Sequence, residues 1–177
     1  MIIILDKILN FIDKINDKAA QTAKWLVLIL TATLFFEVFM RYALNRPTIW
    51  SYDLSYMLGG VFFTMGMGYT LQKNVHVRVD VFFNSWKKKT QKLINIIFTT
   101  FAFFPTYGFL LYKLIPHVIT SWERQERATG SFWMPPIYPF KTMLLIAVIL
   151  LVLQVIAIYI KDWRFVLSKD APTEEVE

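Results

Sequence analysis

The sequence predicts an all-α integral membrane protein. It has four transmembrane helices, both termini in the cytoplasm and an N-terminal amphipathic helix in the membrane interface. Three observations carry this prediction. Four apolar stretches, near residues 25–40, 54–71, 93–114 and 142–160, approach or reach the roughly 20 residues that cross a bilayer as a helix. The chain of 177 residues is 56% hydrophobic and only 18% charged, too apolar for a soluble domain. Its basic residues also gather in alternate connections. Lys7, Lys14, Lys18 and Lys24 precede the first stretch; Lys73, Arg78, Lys87, Lys88, Lys89 and Lys92 follow the second; Lys161, Arg164 and Lys169 follow the fourth. The positive-inside rule puts these three segments in the cytoplasm, and an even number of spans agrees with termini on one side.

The net charge of +6 does not mark a nucleic-acid protein, because the basic residues are dispersed between apolar spans and form no single face. There is no cysteine, which excludes disulfides, thiol chemistry and thiolate metal sites. Met1–Leu5 is apolar, but Asp6 and Lys7 end the run well short of a signal-peptide core. The first span is therefore expected to act as an uncleaved membrane signal.

The segment 1–22 reads as an amphipathic interfacial helix. At about 100° per residue, Leu5, Ile8, Leu9, Phe11, Ile12, Ile15 and Ala19 share one half of the wheel, with Asp6, Lys7, Asn10, Asp13, Lys14, Asp17 and Lys18 opposite. Such a helix lies in the interface or docks on a partner. The first transmembrane helix is 23–42, with Lys24 and Arg41 snorkelling from its ends. Within it, Glu37 sits four residues before Arg41, on the same helical face. At 1.5 Å per residue it lies roughly 20 Å from Lys24, near the outer interface. An intramembrane acid is read either as a coupling carboxylate or as a structural ion pair, and the spacing favours the pair.

In the outer connection, Pro47 breaks the helix, Thr48 or Ser51 is placed to cap the next one, and Asp53 falls in its first turn. Trp50 and Tyr52 suit the interfacial aromatic belt. The second span, 54–71, repeats Gly60, Thr64 and Gly68 at four-residue intervals. That stripe predicts close contact with another helix of this chain or of a different protein. In the cytoplasmic loop 72–92, valines alternate with His76, Arg78 and Asp80. The period of two reads as an extended segment along the membrane surface, and two potential ligands do not make a metal site.

The third span, 93–114, holds Pro105 and Gly108 and is expected to kink. The loop 115–139 carries mixed charges, then Phe132, Trp133, Pro135 and Pro136, and reads as a rigid interfacial loop. It either docks a periplasmic protein or shields helix ends. The fourth span is 141–160. The cytoplasmic tail 161–177 ends in acidic residues and reads as disordered.

No catalytic constellation is present, and the chain is not expected to be an enzyme. His76 and His117 fall on opposite sides of the membrane in this topology and cannot share one cofactor. There is no phosphate-binding loop or dinucleotide fingerprint, and no pair of broken helices of the transporter kind.

Arg41-Tyr42, Pro47, Trp50 and Asp53, a Gly-rich second span, His76-Val77-Arg78-Val79-Asp80 and Pro135-Pro136 together carry a likeness. From about Phe39 to Ile160 the chain resembles the small membrane subunit (the DctQ-like, or Q, subunit) of tripartite ATP-independent periplasmic (TRAP) transporters. Asp53 departs from the family, which often has Glu there. The resemblance implies a non-enzymatic scaffold in the bacterial inner membrane, bracing a large multi-span subunit. That partner would hold the substrate and sodium sites, so no cofactor is implied in this chain. A periplasmic binding protein would deliver an organic acid, either a sialic acid or a C4-dicarboxylate. Likeness to the family implicates Arg41, Trp50, Asp53, His76, Arg78 and Asp80 at the subunit seam or membrane surface, with Glu37, Gly60 and Gly68 as further interface positions. The competing readings are an autonomous four-helix, proton-coupled exporter that uses Glu37, and an integral-membrane enzyme or electron-transfer subunit, which the absence of a His pair within the spans opposes.

Overall fold

The computed structural model describes residues 2–73, 86–130 and 132–168. Among them the regular structure is entirely helical. α1 is Ile2–Tyr42, α2 is Ser51–Gln72, α3 is Lys88–Glu123 and α4 is Tyr138–Leu167. Three of these, α1, α3 and α4, are long and apolar enough to cross a membrane. At 22 residues α2 has a suitable length, but its Ser, Tyr, Asp and Gly content keeps it outside that set.

α1 joins two segments that the sequence reading separates. It runs without a break from the amphipathic stretch through the first apolar span, a helix of 41 residues. The cause is local: no glycine or proline occurs between residues 2 and 42, so nothing interrupts the hydrogen-bond ladder. A mixed flank of its N-terminal half, with Leu9 and Asn16 buried, turns towards the rest of the chain and brings three aspartates to partners. Asp13 pairs with Lys161 at 2.7 Å, Asp17 with Lys73 at 3.5 Å, and Asp6 with Arg164. Ile4, Ile8 and Phe11 are left on the outside.

α4 is the central element. α2 packs against both α1 and α4, while α3 packs chiefly against α4. The buried apolar residues follow this plan: Ala147, Val148, Leu151, Val155 and Ala157 from α4, with Leu9 and Ala23 from α1 and Ile96 and Val118 from α3. Small side chains are prominent at these contacts, as expected where lipid supplies no hydrophobic drive for helices to associate and close backbone approach takes over. Large apolar side chains line the outside, among them Phe35, Phe101, Phe109 and Tyr112.

The irregularity in α3 falls at Thr99–Phe103, which winds as a π-helix. Pro105 lies two residues beyond it and has no N–H to offer the carbonyl of Phe101 within it, so the ladder widens there. Gly108 lies within regular helix, in open space.

Candidate functional site

The C-terminal ends of α1 and α3 and the N-terminal ends of α2 and α4 meet at one end of the bundle, with the loops 43–50 and 124–137. Two polar clusters form there. In the first, Glu37 accepts from Arg41 at 2.9 Å from Nε and 2.5 Å from Nη2 through Oε1, and from the Thr48 backbone N–H at 3.1 Å through Oε2. The Thr48 hydroxyl donates to that same Oε2. Both carboxylate oxygens are thus engaged, and the connection after α1 is tied back onto the helix. Phe36 and Trp50 stack at 5.9 Å beside this clamp.

The second cluster borders a cleft of about 420 Å³. Tyr52, Asp53 and Tyr56 of α2 line one side, and Ile137, Phe140 and Lys141 at the start of α4 line the other. Lys141 is fixed by an ion pair with Glu126 at 2.5 Å. That hydrogen bond is the main reason the Glu126 carboxyl is held below its ordinary value of 4.5. The loop that carries Glu126 is pinned by backbone bonds. Ala128 N–H donates to Pro135 at 2.9 Å and Ile137 N–H to Glu126 at 3.0 Å. Trp122 closes its base, donating to Thr142 at 2.8 Å and lying 4.4 Å from Tyr138. Asp53 is 8% exposed. Its Oδ2 is buried with no hydrogen-bond partner among the described residues.

A third cluster stabilises the opposite half of the bundle. Asn16 donates to Gln154 at 2.9 Å, and Gln154 donates to Asp13 at 2.8 Å. Asn16 and Gln154 are almost completely buried. Lys92 and buried Asp162 pair at 2.6 Å, which fastens the start of α3 to α4. Thr100, in the π-turn, bonds Tyr159 at 3.1 Å.

The structure therefore brings Glu37, Arg41, Trp50 and Asp53 to one end. Gly60 and Gly68 lie along α2 and face this chain's own helices: Gly60 meets the Phe140 ring and Gly68 meets Asn16. His76, Arg78 and Asp80 lie outside the described residues, as does the tail beyond Ser168. His117 is exposed on α3. No three metal-ligating side chains gather among the described residues.

Thr48 does not cap α2: Trp50 is the N-cap residue and has no side-chain cap bond, while Thr48 serves Glu37 instead. Sequence reasoning missed this use of Thr48, the Glu126–Lys141 pair and the Asn16–Gln154 bond. The latter two join residues 15 and 138 positions apart. A polar residue such as Gln154 in a fully apolar span was the available signal.

Residues 30–165 match the family model described as the DctQ component of tripartite ATP-independent periplasmic transporters. No curated protein matches the chain.

Proposed function

From the premise that this chain belongs to the DctQ family, the small membrane component of TRAP transporters, we propose that it braces the large transport subunit and carries no transport site of its own. The observation that supports this role is the state of Glu37. A coupling carboxylate has to exchange its partners during transport, whereas both oxygens of Glu37 are engaged by Arg41 and Thr48. That engagement also counts against an autonomous proton-coupled exporter. The wide exposed apolar flanks of α1 and α3 offer surface to lipid and to a large neighbour.

In this reading α2 crosses the membrane with α1, α3 and α4. Its packing against α1 and α4 covers part of its surface, and the side so covered tolerates more polar residues. Both termini are cytoplasmic, and the end that carries Glu37, Asp53 and Glu126 is periplasmic, in a bacterial inner membrane. The outward Ile4, Ile8 and Phe11 give the N-terminal half of α1 an apolar side for the bilayer interface. The large subunit binds substrate and sodium, a periplasmic binding protein delivers the cargo, and the cargo is an organic acid, a sialic acid or a C4-dicarboxylate.

Reconstitution tests this. Proteoliposomes with the large subunit, this chain and the binding protein should accumulate labelled organic acid under an inward sodium gradient. Omission of this chain should abolish uptake. Undiminished uptake without it would refute the bracing role.

A further inference from the structure

The cleft between α2 and α4 holds a carboxylate that the described residues leave incomplete. Asp53 is 8% exposed, and its Oδ2 is buried without a hydrogen-bond partner among the described residues. A buried acceptor left in that state is costly, more so when charged. The other charges at the cleft cancel, because Lys141 is neutralised by Glu126 at 2.5 Å. Among the described residues the Asp53 carboxylate has no ion-pair partner, and it calls for a cation.

The walls indicate which cation. Tyr52, Tyr56 and Phe140 line the cleft, with Tyr56 and Phe140 rings 5.7 Å apart. Aromatic faces beside a carboxylate suit a flat, weakly hydrated guanidinium better than a compact ammonium. The volume of about 420 Å³ accommodates such a side chain. The direction of approach is also readable. Tyr52, Tyr56 and Phe63 share one face of α2 by helical spacing and are 78%, 66% and 66% exposed. The aromatic wall thus continues along the flank of the bundle and does not end at its tip, so the partner lies alongside.

We propose that the Asp53 cleft receives an arginine side chain from the large membrane subunit. Its guanidinium would complete the carboxylate and lie against Tyr52 and Tyr56. This assignment rests on the small-subunit reading above.

The test uses the full chain co-expressed with the large subunit and the binding protein, and purified in mild detergent. The wild type should retain the large subunit, and Asp53→Asn, which keeps the shape and removes the charge, should retain about tenfold less or worse. Independently, photo-reactive benzoylphenylalanine at position 56, with Asp53 intact, should cross-link to an arginine-bearing segment of the large subunit. Equal retention by wild type and Asp53→Asn would overturn the cleft assignment and leave the subunit reading standing. Cross-links confined to lipid or to the binding protein would do the same. Failure of the wild type to retain any large subunit would overturn both.

Discussion

A Cβ placed on Gly68 would stand 2.4 Å from Oδ1 of Asn16. α1 and α2 can approach this closely only because position 68 has no side chain. The same Asn16 donates to Gln154 at 2.9 Å, so the glycine and the polar bond are one arrangement in which three helices converge.

Gly68→Ala should therefore destabilise the bundle by about 1–3 kcal/mol, the usual cost of overpacking a tight contact. Gly66, with open space around the same construction, is the control. Gly66→Ala should be neutral or slightly stabilising, since alanine favours helix by up to about 1 kcal/mol. Thermal denaturation in detergent distinguishes them; equal melting temperatures for the two variants would contradict the packing account.

The buried polar bond makes a separate prediction. Gln154→Leu leaves the Asn16 amide with only the Ile12 carbonyl at 3.2 Å and Asp13 with Lys161 alone. The expected loss is about 1–3 kcal/mol, the cost of an unsatisfied buried group. Adding Asn16→Leu should recover part of it, because both ends of the bond are then removed. Hydrogen exchange should rise first in the N-terminal half of α1. A strictly additive double mutant would show that the two side chains do not act together.

The sequence showed much of this architecture and little of its wiring. Hydropathy located the three long apolar helices, because the signal is written continuously along each segment. The Glu37–Arg41 pair was legible for a similar reason, with its partners only four residues apart. The Gly60–Gly68 stripe announced a close helix contact without identifying the neighbour. That neighbour is set by topology: Phe140 and Asn16 come from opposite ends of the chain. The division of α1 at residue 22 was suggested by a change in composition, yet a helix ends at a breaker or cap, not where its polarity changes. The unsatisfied oxygen of Asp53 was invisible, because satisfaction of a polar group is a three-dimensional property.

Thr48 and Glu37 make a third prediction. Thr48→Val removes the hydroxyl that donates to Glu37 but retains the backbone N–H that also reaches it. Glu37→Gln weakens both this link and the pair with Arg41. The melting temperature should fall by a few degrees for Thr48→Val and further for Glu37→Gln. Proteoliposomes containing this chain alone should show no proton-driven efflux with or without the substitution. Efflux by the wild type that disappears in Glu37→Gln would restore the exporter reading.

The loop at the end of the bundle should respond to acid. The hydrogen bond from Lys141 holds the Glu126 carboxyl below its ordinary 4.5, so the folded state binds that proton less readily than the unfolded chain. The associated stability is complete above 4.5 and is lost as the pH falls through the lowered folded value. Glu126→Gln should thus melt below the wild type at pH 7. The difference should shrink once the pH drops under 4.5 and vanish in stronger acid. A difference that persisted unchanged would remove this ion pair as its cause.

As a member of the DctQ family, this chain is expected to work as the small partner of a larger membrane subunit. That role is tested most directly by co-purification in mild detergent, from cells expressing the chain with its genomic neighbours, followed by mass spectrometry and measurement of stoichiometry. The expected result is a stable one-to-one complex with a single large many-span protein. Recovery of this chain alone, as a monodisperse self-oligomer, would contradict it.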